Sequence, residues 1–436
     1  AGAGGRIAVY AGESLGWSGA ISAHAGIQGS RAGAGTIYFG PGMNAEPQLI
    51  IDNSFVQNGI LSENGVTPLG GDHAVGLVRI REGGLLSGVP DGEDMRLFAA
   101  SDVIVESGAY LGVGGFIFDT AGATPGETGE ASGGGAGHGG AGGRGGDNSF
   151  DGVGGEGGGI TGTAQLSPPS RGSRGGRASN GVLGPSGPGG AGGGFLEVNA
   201  ASQLIINGAL NADGTDGPAG TGGGSGGGIL MRAGSITGTG SITARGGDGG
   251  SGQSGFGGTA GGGGGGGGRI AWASCDASIG SELFLSAAAG AGGTGNEAGG
   301  GGSPGSIFQR TDYATVRHEP SDAIVPVFTV AEFVYVTPTG PFSTFQWYRD
   351  GVVLTNGVTP TGSIVSGAQS PVLTVLWPGP QDEARYSCAA SGPCGNSTSR
   401  AAWLIVGDVS PEFCPVDVDG NGRIDIDDLY YITQHP

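Results

Sequence analysis

Residues 261–272 read GGGGGGGGRIAW, a glycine run that passes without a break into a short apolar strand. The phrase also stands at Gly4 to Tyr10 (GGRIAVY), and both copies continue alike. Ala11 to Ala25 (AGESLGWSGAISAHA) matches Ala273 to Ala288 (ASCDASIGSELFLSAA) in type, and Gly35 to Phe39 (GTIYF) matches Gly305 to Gln309 (GSIFQ). A recurrence at this distance means a repeat architecture, and such architectures are built to present or extend a surface. The first copy reads as the end of an earlier block and the second as the end of this one, so the phrase marks a junction. The sequence begins without Met inside that phrase, and is expected to be a processed piece of something longer.

Outward from this phrase, one grammar holds from residue 1 to 312: glycine run, strand of three to five residues, polar step, second Ile or Leu strand, glycine again. Strands near Phe195, Ile229, Ile270 and Ile307 follow at spacings of 34, 41 and 37 residues. Units that keep their strands while their loops vary in length are coils of a solenoid. In Asp102 to Gly108 (DVIVESG), the alternation of Val103 and Val105 fits a strand with one face in a core. No stretch longer than a turn carries a helical period before residue 427. The expected fold is therefore all-β, with a glycine-rich right-handed parallel β-helix over 1–312 as the simplest closed solution for short parallel rungs.

Glycine supplies 106 of 436 residues, more than three times ordinary usage. Collagen is excluded because runs such as Gly261 to Gly268 break a three-residue Gly-X-Y period. Long glycine tracts are costly to order, at roughly 0.5–1 kcal/mol per residue relative to Ala within regular structure. Three remedies are open: loops stacked as extended polyglycine, bound cations, or packing against another subunit.

The net charge of −20 argues against nucleic acid, whose phosphates need basic surface. Every basic residue is Arg, which removes lysine-based catalysis. No apolar run approaches the roughly 18 residues of a membrane span. Four cysteines, Cys275, Cys388, Cys394 and Cys414, are compatible with an oxidising compartment. The acids Asp213, Asp216, Asp248 and Glu297 sit singly in glycine loops, as solvated or calcium-bridging residues rather than a catalytic pair. His138 within GGGAGHGGAGGRGG reads as a loop residue rather than a ligand or base.

Glycine thins out and aromatics appear from about Asp312 to Val325, marking a boundary. Beyond it, Phe345 to Gly351 (FQWYRDG), Val372 to Leu376 (VLTVL) and Asp382 to Cys388 (DEARYSC) resemble strands C, E and F of an immunoglobulin-like domain, placed at 320–407. The resemblance makes Trp347 the core Trp and Tyr386 the tyrosine-corner residue. It departs from the family at Val327 to Val336, the expected strand B, which has no cysteine. Cys388 thus lacks its usual partner, and a clip from Cys388 to Cys394 across the F to G hairpin is expected, the alternative being two free buried thiols. Cys275 and Cys414 could pair with each other, pair between subunits or stay free.

The last 20 residues contain DVDGNGRIDIDD, which fits a calcium loop with oxygen ligands at positions 1, 3, 5, 7, 9 and 12 and glycine at 6. Asp417, Asp419 and Asn421 would give side-chain oxygens and Arg423 its carbonyl. Asp425 would contribute directly or through water, and Asp428 would close the site around Ca²⁺. Asp at the twelfth position, with no helix before the loop, resembles a dockerin-type repeat, here one loop-helix unit at 412–436. Taken together, the three modules resemble large bacterial extracellular surface proteins. The resemblance implies a secreted, calcium-stabilised, non-enzymatic structural or adhesive protein that self-associates into a filament, surface layer or matrix. A polysaccharide-binding or polysaccharide-degrading protein anchored through its tail is the other reading.

Overall fold

The structure, a computed structural model, describes residues 6–9, 36–39, 48–52, 67–81, 83–88, 94–115, 125–148, 152–179, 187–252, 260–275, 277–311, 318–337, 344–392 and 394–407. Among them the fold is all-β, with no α-helix. The strands up to residue 311 are β1 (Arg6–Val9), β2 (Thr36–Phe39), β3 (Gln48–Asp52), β4 (Thr67–Pro68), β5 (Gly71–Val75), β6 (Leu77–Arg81), β7 (Leu85–Ser87), β8 (Met95–Ala99), β9 (Val103–Val105), β10 (Tyr110–Gly112), β11 (Phe195–Ile206), β12 (Ala209–Asn211), β13 (Gly228–Thr237), β14 (Ser241–Thr243), β15 (Arg269–Ser274), β16 (Phe284–Ser286) and β17 (Ser306–Gln309).

Their pairing is parallel, except that β3 runs antiparallel to β2. One ladder runs β5, β8, β11, β13, β15, β17, and a second β4, β7, β10, β12, β14, β16. In-register pairing stacks like side chains into columns. Met95, Leu196, Ile229 and Ile270 form one column and Leu86, Leu111, Leu210 and Ile242 another, each residue fully buried. Leu196, rather than Phe195, lies opposite Ile229. A one-residue slip changes the face of a strand, so Phe195 turns outward into a separate cluster with Leu166, Leu230 and Ala271.

Between strands, the glycine segments build a lattice of their own. Gly261, Gly264 and Gly267 donate to the carbonyls of Glu297, Gly300 and Ser303. Gly262, Gly265 and Gly268 donate to Gly250, Gly247 and Ala244, while Gly263 and Gly266 donate to Gly133 and Ala136. Donors that recur every third residue and turn to three neighbours have the period of a polyproline II-type helix. Three further segments, carrying Gly140 and Gly143, Gly223 and Gly226, and Gly290 and Gly293, donate back to carbonyls of 262–267. One glycine segment therefore touches six others, and its backbone groups are satisfied without a sheet. Of the three remedies for ordering glycine, the described residues show the first, stacked extended polyglycine. The spacing between segments admits little else, since a Cβ on Gly263 would lie 2.0 Å from the Gly143 carbonyl oxygen.

The described residues between 318 and 407 form a two-sheet sandwich of immunoglobulin-like β type. Its strands are β18 (Ala323–Val325), β19 (Val330–Val334), β20 (Thr344–Arg349), β21 (Val352–Val353), β22 (Gly357–Val358), β23 (Ile364–Ser366), β24 (Val372–Leu376), β25 (Ala384–Gly392), β26 (Gly395–Thr398) and β27 (Ala402–Val406). One sheet runs β18, β27, β25, β20, β21 with β26 on β25, and the other runs β19, β24, β23, β22. Trp347 is fully buried and donates its indole N–H to Ser370 O at 2.8 Å. Tyr386 donates its hydroxyl to Asp382 O at 3.0 Å, which is the tyrosine corner. Phe333 on β19 stacks on Tyr386 at 5.0 Å between ring centroids, so an aromatic ring occupies the core on the strand that lacks a cysteine.

Candidate functional site

Three acids of the glycine loops, Asp213, Asp216 and Asp248, are coil-to-coil fasteners, whereas Glu297 takes part through its backbone carbonyl, which accepts from Gly261. Asp213 accepts the backbone N–H of Arg245 at 2.6 Å, Asp216 that of Asp248 at 2.7 Å, and Asp248 that of Ala291 at 2.7 Å. Each carboxylate thus receives a backbone N–H from a segment that follows it in the chain. Asp213 also accepts from Asn211 and Thr243, and burial pushes its carboxyl above the usual carboxylate range. Among the described residues, no three His, Cys, Asp or Glu side chains converge as a metal-binding group.

His138 lies outside the strands, as expected of a loop residue, yet it is not on the surface. It is fully buried in the glycine lattice, where Nδ1 donates to Gly226 O at 2.8 Å and Nε2 faces the Ser170 hydroxyl at 2.8 Å. Burial is the main cause that pushes its pKa down to about 4, with the nearby Arg269 adding to it, so the ring is neutral at pH 7. Beside it, Arg269 of the recurring phrase bonds Thr161 O and Gly162 O through its guanidinium, and Ser306 Oγ at 3.1 Å. His138 and Arg269 together pin the 161–170 segment to the ladder.

A third set of ties crosses the outer face of the long ladder. Glu197 accepts from Arg232 Nη1 at 2.5 Å and stands 3.7 Å from Arg96 Nε, and Asp94 pairs with Arg171 Nε at 2.5 Å and with Arg96 Nη2 at 3.2 Å. Sequence reasoning did not single these residues out. The available signal was an Arg or Glu at an outward position within an otherwise apolar strand, as at Arg96, Glu197 and Arg232.

The cysteine pairing differs from expectation. Cys394 pairs with Cys275 across 119 residues with Cα atoms 5.5 Å apart, and Cys388 is a free, buried thiol that burial pushes up to about 12. The expected Cys388 to Cys394 clip fails for a geometric reason. Cys388 lies opposite Trp347 within the sandwich core, whereas Cys394 sits at the tip of the β25–β26 hairpin, beyond the Gly392–Gly395 pair. At roughly 3.3 Å per residue the intervening strand exceeds the Cα separation a disulfide tolerates, about 7 Å. The Cys275–Cys394 bond ties the sandwich to the ladders, and Phe98, Ala100 and Ala201 add an apolar contact with Val334, Val336 and Val372. Asp417, Asp419, Asn421, Arg423, Asp425, Asp428 and Cys414 lie outside the described residues.

One open cleft of about 470 Å³ lies on the sandwich between β20 and the β25–β26 hairpin. It is lined by Gln346, Gln369, Ser391, Asn396 and Ser397 among others, with no carboxylate or cation. No helix among the described residues is long and apolar enough to cross a membrane.

No family model matches the chain, and no curated protein matches it. Solved structures with some likeness are immunoglobulin domains. A two-domain module of Drosophila receptor protein tyrosine phosphatase DLAR is 14% identical with a TM-score of 0.19, over 26% of this chain and 57% of that one. Titin M4 is 21% identical with a TM-score of 0.17, over 21% of this chain and 93% of that one. The Ig-like domain of human Leucine-rich repeat-containing protein 4 is 24% identical with a TM-score of 0.19, over 22% of this chain and 91% of that one. At these TM-scores none of them informs function.

Proposed function

We propose that this chain is a secreted, non-enzymatic structural protein that self-associates into an extracellular filament, surface layer or matrix, its parallel ladders being the walls of a right-handed β-helix. The observation that carries this reading is the use of its chemistry. The loop aspartates Asp213, Asp216 and Asp248 accept backbone N–H groups, the strand arginines tie rung to rung, and the glycine backbone is spent on neighbours. Such an arrangement invests in rigidity, as a load-bearing or surface-presenting body requires. On this reading Asp417, Asp419, Asn421, Arg423, Asp425 and Asp428 hold Ca²⁺ in the dockerin-like tail and anchor or stiffen the assembly. Electron microscopy of the purified chain with and without a calcium chelator tests it. Filaments or sheets that loosen with chelator are expected, and monodisperse monomers indifferent to chelator would sink the proposal.

The cleft on the sandwich favours a second reading, a polysaccharide-binding module. Amides and hydroxyls without charge suit the hydroxyls of a neutral sugar. Glycan-array binding that Asn396→Ala and Gln346→Ala abolish, in a chain that forms no assemblies, would replace the structural reading by this one. New ultraviolet absorbance or reducing ends after incubation with acidic polysaccharide would instead point to degradation.

A further inference from the structure

The two copies of the recurring phrase make the same pair of strands, but only one pair is covered. β1 meets β2 in the register Arg6↔Thr36, Ile7↔Ile37, and β15 meets β17 as Arg269↔Ser306, Ile270↔Ile307. In the first pair the far edge of β2 is taken by β3, antiparallel, with Ile37 opposite Ile50. Ile37 and Ile50 are then buried, at 2% and 8% exposure. In the second pair β17 ends its sheet. Its Ile307 continues the column of Met95, Leu196, Ile229 and Ile270, all 0% exposed, yet is itself 49% exposed. Among the described residues, no segment covers the core there.

The glycine lattice is open at the same end. Gly299, Gly302 and Gly305 donate to one neighbour, Gly300 and Ser303 to another, while Gly301 makes no backbone bond among the described residues. The edge of β17 is also chemically ready. Ser306 donates its N–H to Gly268 O just before β15 and Arg310 to Trp272 O within it, so by alternation those of Ile307 and Gln309 point away from β15. An exposed edge strand with outward donors and an uncovered Ile is a template for another strand.

We propose that the free edge of β17 binds β3 of a second copy of this chain, in the antiparallel register that β2 holds within each molecule: Ser306↔Ile51, Ile307↔Ile50, Phe308↔Leu49, Gln309↔Gln48. The β1–β2 pair is thus an internal stand-in for the β15–β17 end of a neighbour, and must give way for chains to join head to tail. Because the two ends differ, the contact is heterologous and propagates as an open filament. This inference rests on the self-association reading and names its contact.

Sedimentation velocity on four full-length chains tests it. Ile37→Asp puts a carboxylate opposite Ile50, weakens the internal cap and is expected to raise the assembled fraction about tenfold or more. Ile307→Pro removes an outward N–H without touching the β15 ladder and is expected to lower it about tenfold or more. The double variant should behave as Ile307→Pro does. If that variant melts early, Gln309→Pro replaces it. Mild oxidation of mixed Ile307→Cys and Ile50→Cys chains should give a 307 to 50 cross-link by mass mapping. Assemblies that persist in both proline variants, or a 307 to 307 cross-link, would overturn this contact and leave self-association standing. Monomers in all four chains, with no filaments by microscopy, would overturn both.

Discussion

At the scale of single residues, one physical exchange recurs: a polar side chain takes over a backbone group that a coil would otherwise leave bare. His138 is the most consequential case, because its partners are buried with it. Its pKa falls from the model-peptide value of 6.5 to about 4 on folding. Between those values the unfolded chain binds the proton and the folded one does not. This contribution is therefore fully present above pH 6.5 and lost as pH falls toward 4, by up to about 3 kcal/mol. Thermal melts at pH 7.5 and pH 5 should show a steep loss in the native chain and a flatter one in His138→Gln. Equal slopes would show that His138 does not carry the effect. The residue was visible in the sequence, but its burial was not, because the surrounding glycines carry no apolar pattern.

At the scale of elements, glycine content turns from a cost into a requirement. Where six segments surround a seventh, the interior of the lattice has no space for a methyl group. Gly263→Ala would place Cβ 2.0 Å from a backbone oxygen and is expected to destabilise by about 3 kcal/mol. Gly301, at the open edge, has nothing nearer than 3.7 Å, and Gly301→Ala should change stability by less than about 0.5 kcal/mol. Denaturant unfolding of the two variants gives the comparison, and similar losses at both sites would refute the lattice. The strand grammar of the sequence located the starts of β11, β13, β15 and β17 to within a residue, since apolar runs bounded by glycine admit few alternatives, but β11 and β13 run for twelve and ten residues instead of the three to five expected. The partners of each glycine segment were not legible, because identical residues carry no addressing information.

At the scale of the whole molecule, the Cys275–Cys394 bond and the apolar contact around Phe98 join two bodies that the sequence divides by composition. A cross-link closing so long a loop contributes about 2–5 kcal/mol through the unfolded chain. Cys394→Ser is expected to lower the denaturation midpoint accordingly and to separate the melting of the sandwich from that of the ladders in calorimetry. Recovery of a Cys388 to Cys394 peptide from a non-reducing digest would contradict the pairing. The same digest should leave Cys388 unalkylated until the chain unfolds, since its buried thiol is held neutral.

The sequence by itself determined the all-β class, the repeat of short strands between glycine runs, and the Trp347 and Tyr386 landmarks of the sandwich. These are local or periodic properties, written in spacing and side-chain type. Only the tertiary structure decided how the glycine segments are ordered, which cysteine meets Cys394, and what the loop acids hold. Each of those depends on segments brought together from distant parts of the chain. The phrase GGGGGGGGRIAW shows the division: its strand could be read from Ile270 and Trp272, whereas its eight glycines acquire meaning only from the backbones that surround them.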